Sequence, residues 1–193
     1  RLNGRFLAKA DGVIAGLEVV RETFAALDEQ VQFTPLVADG TAVATGDIVA
    51  TLHGPAQSLL SGERVALNLL QRTSGIATLT RRYVDAVAHT SAIILDTRKT
   101  APGLRPFDKW AVRLGGGQNH RYGLSDMVLI KENHVVAAGG ITPAVQRVRL
   151  WQATSGGSQP IEVEVTNLTE FAEALALPID RIMLDNMSLV EMR

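Results

Sequence analysis

Four short stretches of this chain carry the side chains that could do chemistry. Asp96-Thr97-Arg98-Lys99-Thr100 follows the apolar run Ile94-Leu95, and Lys131-Glu132-Asn133-His134 follows Leu129-Ile130. Glu162 and Glu164 alternate with Val163 and Val165, and Asp185-Asn186 follows Met183-Leu184. A planar guanidinium such as Arg98 or Arg121 grips two oxygens of a carboxylate or phosphate at once, whereas Lys99 and Lys131 act as point charges. Residues 96–134 hold seven Lys/Arg and two His (His120, His134) against four acids, in a chain whose net charge is only −1. A local positive cluster in a near-neutral protein suits a small anionic ligand. His120 lies beside Arg121, just after Gly115-Gly116-Gly117-Gln118, and is read as functional or structural with equal weight. His53 and His89 read as structural or exposed. The triple glycine lacks the Gly-Lys-Ser/Thr ending of a nucleotide P-loop and follows a helix.

Glu162 and Glu164 stand two apart on a strand and so share a face, with Val163 and Val165 on the other. Two carboxylates on one face repel unless a cation or proton intervenes. Either one pairs with a lysine of the same sheet, or one faces a metal-bound or cationic ligand.

The elements that would position these groups follow from hydrophobic period. Residues 4–16 read as strand, and Leu17, Val20, Phe24 and Leu27 predict an amphipathic helix over 17–28. Residues 31–54 read as short antiparallel strands, with turns at Asp39-Gly40, Gly46-Asp47 and Gly54-Pro55. A long helix follows, capped by Ser58 or Ser61, with a possible break at Thr73-Ser74-Gly75. Beyond residue 90 the order is strand then helix, repeated. Buried strands are expected at 92–95, 126–130, 161–165 and 182–184. Helices are expected around Phe107–Leu114, from Thr142-Pro143 to about 152, and after the capping-box pair Asn167 and Glu170. Apolar strands alternating with helices argue for a parallel sheet or barrel, whose strand C-termini carry the site.

Composition narrows the function classes. The chain has 193 residues, 46% hydrophobic and 20% charged, which is globular rather than disordered or fibrous. Its 19 Lys+Arg against 20 Asp+Glu do not suit a general nucleic-acid or membrane-surface binder. With no cysteine, disulfides, cysteine-ligated metals and thiol nucleophiles are excluded, and a reducing, cytoplasmic setting is expected. No apolar run approaches the roughly 18 residues of a membrane span, and no signal peptide is visible. Arg1 is not an initiator Met, and residues 188–193 read like the start of a helix after a strand, so the chain reads as a piece of something longer.

Three motifs together resemble a known family. Asp96-Thr97-Arg98-Lys99-Thr100-Ala101-Pro102-Gly103-Leu104-Arg105, Gly115-Gly116-Gly117-Gln118-Asn119-His120-Arg121 and Ile130-Lys131-Glu132-Asn133-His134 closely resemble quinolinate phosphoribosyltransferase. The flanks agree at Glu63-Arg64, Asn68-Leu69-Leu70, Ser74-Gly75-Ile76-Ala77-Thr78, Glu162–Val165 and Leu184-Asp185-Asn186. The resemblance implies an α/β fold: an N-terminal α/β sandwich with a long connecting helix over 1–90, then an irregular, incomplete parallel β/α barrel over 91–193. It implies a homodimer with a shared active site. Arg98, His120 and Arg121 would bind the two carboxylates of quinolinate, and Arg64 would reach into the neighbouring subunit's site. Lys99 and Lys131 would contact substrate carboxylate and the phosphates of phosphoribosyl pyrophosphate. Glu164 and Asp185 would sit near the ribose and the Mg²⁺-bound pyrophosphate, and no organic cofactor is needed. The family's first segment, last barrel strands and 5′-phosphate loops are not found in this sequence.

The implied activity is Mg²⁺-dependent transfer of phosphoribose to quinolinate with decarboxylation, giving nicotinate mononucleotide for NAD synthesis. Lys99, Lys131, Glu164 and Asp185 would be the catalytic set. Two alternatives stand beside it: a paralogue acting on another pyridine or base, and a non-catalytic anion-binding domain. Two arginines and a histidine suit a dicarboxylate better than nicotinate. Acids at the rim have no use in a pure anion binder. Val37–Gly54 looks a little like a lipoyl-type β-layer but has no lysine in its hairpin to carry a prosthetic group.

Overall fold

The computed structural model describes residues 1–193. They form two compact units, Arg1–His120 and Arg121–Arg193. The first contains β1 (Leu2–Leu7), β2 (Gly12–Val13), α1 (Leu17–Leu27), β3 (Gln32–Pro35), β4 (Ala42–Val43), β5 (Ile48–Gly54), α2 (Ala56–Val87) and α3 (Arg105–Leu114). β5 is the centre of an antiparallel sheet of order β1-β5-β3, and β2 pairs with β4 beside it.

The amphipathic stripe predicted over 17–28 is the helix α1, which buries Leu17, Val20 and Phe24. These side chains meet Val49, Leu52, Leu59 and Leu70 in the first core. α1 begins at Gly16, whose φ of 117° favours glycine. Its cap comes from far along the chain: Asp39 Oδ1 accepts from the backbone N–H groups of Gly16 (2.8 Å) and Leu17 (3.0 Å).

α2 runs unbroken for 32 residues, so Thr73-Ser74-Gly75 does not interrupt it. The hydroxyls there do another job. Ser74 Oγ accepts from Ala15 N at 3.0 Å, Thr78 Oγ1 accepts from Val13 N at 2.9 Å, and the buried Thr73 donates to Ala15 O. The helix thus satisfies the backbone of residues 13–15 with side chains where a neighbouring strand would otherwise do so. Neither Ser58 nor Ser61 caps α2, which starts at Pro55 without a side-chain cap. Ser58 donates to Asp28 Oδ2 at 2.5 Å instead.

Residues 91–120 group with the first unit because α3 and the glycine turn lie on α2. A methyl group on Gly115 would stand 2.5 Å from Ala77 O and 2.7 Å from Thr80 Cβ, so only glycine permits this approach. The strand expected at 92–95 does not form. Ile93 is 57% exposed, and Leu95 makes only a single parallel bridge to Gln118. Four apolar residues make a strand only where a neighbour offers a full ladder.

The second unit contains β6 (Val128–Ile130), α4 (Glu132–Ala138), α5 (Ile141–Ser155), β7 (Ile161–Val165), α6 (Leu168–Leu175) and β8 (Arg181–Leu184). The three strands are parallel, in the order β6-β7-β8. The predicted strands at 126–130, 161–165 and 182–184 and the mixed α/β class are borne out. Asn167 caps α6 by accepting from Glu170 N at 3.0 Å. α5 starts at Ile141, two residues before Pro143, and Thr142 does not cap it, because Thr142 spends its N–H and hydroxyl on Glu173 Oε1. α4 is a helix the polar string Lys131–His134 does not announce; Gly139, at φ 87°, ends it.

Candidate active site

The register of β6-β7-β8 sorts the second unit's residues onto two faces. Val163 pairs with Ile130 and Ile182, and Val165 with Leu184. That face packs on Ile141, Val145 and Ala174 of the helices. The opposite face carries Glu162, opposite Leu129 and Arg181, and Glu164, opposite Met183. Lys131, one residue past β6, and Asp185, one past β8, continue that polar face by alternation. The carboxyl ends of three parallel strands therefore present a lysine and two acids.

The two glutamates have separate partners. Glu162 is 3% exposed, and its carboxylate lies 3.9 Å from Arg181 Nη1. Glu164 Oε2 accepts from Lys131 Nζ at 2.6 Å. The lysine-pairing reading of the two carboxylates thus holds for Glu164. Asp185 makes no ion pair: its Oδ1 accepts from Asn186 Nδ2 at 3.2 Å, and its N–H donates to Val165 O at 2.8 Å. Asn186 turns the chain in the left-handed region at φ 52°. Arg121 opens this unit, and its Nη1 lies 3.5 Å from Met127 O.

The first unit holds Arg64, Arg98, Lys99 and His120. Arg98 Nε is buried with no hydrogen-bond partner. An unpaired buried donor costs free energy until an acceptor arrives. Lys99 and Arg64 are exposed, and neither side chain has an ion-pair partner. The loop that carries Arg98 is braced from below. Arg105 donates to Thr100 Oγ1 (3.2 Å) and Arg98 O (3.4 Å). Asp108 accepts from Ala101 N at 3.2 Å and from Arg72 through two bonds of 2.8 and 2.7 Å. The Arg72 fork holds the Asp108 carboxyl below the usual carboxylate range against the cost of its burial. The same pairing raises Arg72.

Sequence reasoning missed this supporting layer. Arg105 and Lys109 read as members of the positive cluster over 96–134 and Asp108 as one of the acids set against it, while Arg72 carries no signal at all. Asp108 and Lys109 are in fact buried at 6% and 1% exposure. The available signal is their place between Phe107 and Trp110-Ala111, where a charge must find a buried partner.

Two family models tile the chain: the quinolinate phosphoribosyl transferase N-terminal domain over residues 1–74 and the C-terminal domain over 76–193. The chain belongs to the quinolinate phosphoribosyl transferase family. Among its relatives is the probable nicotinate-nucleotide pyrophosphorylase (carboxylating) of Synechocystis sp., 50% identical over 97% of this chain. Another is quinolinate phosphoribosyltransferase (decarboxylating) 1 of Nicotiana glauca, 46% identical over 94%. The crystal structure of NadC from Streptococcus pyogenes superposes on 98% of the chain with a TM-score of 0.91 at 43% identity. The chain spans 62% and 53% of the length of the two curated relatives and 66% of the solved chain.

Arg98 and Lys99 offer unpaired cations. Lys131 is 42% exposed beside the Glu164 carboxylate, and Asp185 is an acid without an ion-pair partner. No group of three or more side-chain ligands converges anywhere in the chain. Two strand-end carboxylates still fit the mode in which Mg²⁺ takes one or two carboxylates and completes its shell with substrate phosphates and water. No helix is long and apolar enough to cross a membrane.

Proposed function

We propose that the protein containing this chain transfers the phosphoribosyl group of phosphoribosyl pyrophosphate to quinolinate and releases pyrophosphate and CO₂, leaving nicotinate mononucleotide. The observation that carries this reading is the polar face formed by Lys131, Glu164 and Asp185 at the carboxyl ends of β6, β7 and β8. Arg98, His120 and Arg121 take the two carboxylates of quinolinate, and Lys99 adds charge to the same anion. Arg64, unpaired in its own chain, serves the site of the second copy in a homodimer.

In this reading Glu164 and Asp185 would hold the Mg²⁺ that phosphoribosyl pyrophosphate carries, and the ion would supply charge neutralisation at the leaving pyrophosphate. Lys131 contacts phosphate while Glu164 holds its ammonium in place. Asp185 and Glu164 face the sugar carbon that becomes cationic as its bond to pyrophosphate lengthens. The pyridine nitrogen of quinolinate attacks that carbon with its lone pair and becomes a pyridinium. The bond from C2 to its carboxylate then breaks and CO₂ leaves; the electron pair stays on C2, where the adjacent positive nitrogen stabilises it, until a proton from solvent bonds to C2.

The test incubates the protein with Mg²⁺, phosphoribosyl pyrophosphate and either quinolinate or nicotinate. Equimolar CO₂ and nicotinate mononucleotide from quinolinate, and no product from nicotinate, are expected. Turnover of nicotinate without CO₂ would replace this reading with that of a paralogue.

A further inference from the structure

Of the largest fully buried side chains, Lys109 is the one that carries a charge, at 1% exposure. A ligand cannot reach it, so it does not belong to the anion-attracting surface its sequence neighbourhood suggests. Its ammonium lies 2.5 Å from Asp96 Oδ1, and the Asp96 side chain is itself only 6% exposed. A buried ion pair of this kind seldom adds net stability, because desolvation offsets the attraction. Its use must be sought in what the carboxylate holds.

Asp96 accepts three donors. Besides Lys109, the backbone N–H of His120 donates to Oδ1 at 2.9 Å, and Asn119 Nδ2 donates to Oδ2 at 3.0 Å. Asn119 Nδ2 also reaches Lys109 O at 3.3 Å, which closes the network on α3. The backbone repeats the connection: Asp96 N donates to Gln118 O at 3.1 Å, and Gln118 N donates to Ile94 O at 2.8 Å. Asp96 stands two residues before Arg98. One buried carboxylate therefore ties the segment that carries Arg98 to the segment that carries His120. The two oxygens of this carboxylate accept from all three donors, and Lys109 supplies the opposite charge beside them.

We infer that Asp96 and Lys109, with Asn119, are positioning residues that fix His120 and Arg98 relative to each other for an aromatic 1,2-dicarboxylate. The inference rests on the reading of Arg98 and His120 as quinolinate ligands. Placement errors of about 1 Å can cost roughly a hundredfold in such sites, so the clamp governs affinity without touching substrate.

The decisive variant is Asp96→Asn combined with Lys109→Met, which replaces the ion pair by a neutral pair of similar volume and leaves no uncompensated charge. Quinolinate and phosphoribosyl pyrophosphate binding are measured by calorimetry, the thermal midpoint by scanning, and the His120 amide by NMR hydrogen exchange. Quinolinate affinity should fall by about ten- to a hundredfold, the loss expected from one or two misplaced charge-assisted bonds. Affinity for phosphoribosyl pyrophosphate should stay nearly unchanged, and His120 amide exchange should accelerate. A merely structural pair would move both ligands together or neither. Should the double variant not fold, Asn119→Ala removes the third arm alone and should weaken quinolinate by roughly two- to tenfold. A folded variant with parental quinolinate affinity overturns the inference. If the parent itself binds no quinolinate, the proposed function fails instead, and unchanged His120 amide exchange in the double variant then overturns the clamp separately.

Discussion

Lys131 Nζ and Glu164 Oε2 lie 2.6 Å apart, joining the residue after β6 to the next-to-last residue of β7. The lysine side chain is 42% exposed and the glutamate 13%, so the pair has a wet end and a sheltered end. An exposed pair of this geometry contributes little to stability. Its consequence is orientation: the carboxylate aims an ammonium that would otherwise roam on a flexible stem. Glu164→Gln should therefore leave the thermal midpoint nearly unchanged and raise the KM for phosphoribosyl pyrophosphate. Lys131→Met should raise it further. If Glu164→Gln lowers the midpoint by several degrees and spares KM, the pair is structural.

The Arg72–Asp108 pair gives a pH dependence with a definite sign. Asp108 is depressed in the folded state, chiefly by the Arg72 hydrogen bonds, so its contribution is fully present above the unfolded carboxylate value of about 3.9. It is lost as pH falls through the lower folded value. Asp108→Asn should cost about 2 kcal/mol at neutral pH, toward the low end for a sheltered pair because Arg72 reaches solvent. Thermal midpoints of parent and variant should converge as pH drops from about 5 toward 2. A gap that stays constant over that range would show that the stabilisation does not come from ionised Asp108.

Gly115 is a steric prediction. Its φ of −73° suits any residue, but a β-carbon there would meet Ala77 O at 2.5 Å and Thr80 Cβ at 2.7 Å. Gly115→Ala should destabilise the protein by about 1–3 kcal/mol, the ordinary cost of overpacking. Gly75→Ala, where nothing lies within 4 Å, should be neutral or slightly stabilising as a helix substitution. Equal denaturation midpoints for the two variants would contradict the close approach of this turn to α2.

What could be read in advance follows from the range of each interaction. Leu17, Val20 and Phe24 announce α1 because helical period is local, and Val163 and Val165 announce β7 for the same reason. Partners far apart in sequence leave no such trace. Asp39 capping α1, Ser74 and Thr78 satisfying residues 13–15, and Lys109 meeting Asp96 are each separated by 13 or more residues. The four-residue apolar run at 92–95 misleads because burial, not composition, makes a strand. At the site, the residue types Arg98, Lys131, Glu164 and Asp185 are legible in the motifs. Which glutamate takes the lysine is settled only by side-chain geometry.

Arg64 lies exposed on α2 without an ion pair, which leaves its charge free to act outside its own chain. In the proposed two-fold dimer with shared sites, Arg64→Ala and Lys131→Ala chains should each be inactive. Mixed together, they should recover activity through hybrids that hold one intact site. Up to about a quarter of parental activity is the statistical ceiling for random exchange with one working site per hybrid. Hybrids confirmed by mass but without turnover would place Arg64 in the site of its own chain.

Asp185 separates catalysis from stability most sharply. In the proposed function both substrates are anions, so this acid should not aid ground-state binding of quinolinate directly. A structural role would require a cation to hold, yet its carboxylate takes a single hydrogen bond, from the neighbouring Asn186 amide. In the proposed reaction this charge would meet a cation: the Mg²⁺ brought by phosphoribosyl pyrophosphate, or the sugar cation formed as pyrophosphate leaves. An interaction made only in the transition state lowers kcat on removal and leaves KM unchanged. Asp185→Asn keeps shape and removes charge, so it isolates this electrostatic effect. The expected loss in kcat is on the order of 10²–10³, as for other preorganised charge stabilisation, with quinolinate KM within about twofold of parental. Because no ion pair is broken, the thermal midpoint should hold. Measuring kcat, quinolinate KM and midpoint on the one variant decides the matter, and near-normal kcat with a depressed midpoint would assign Asp185 to the turn after β8 rather than to the chemistry.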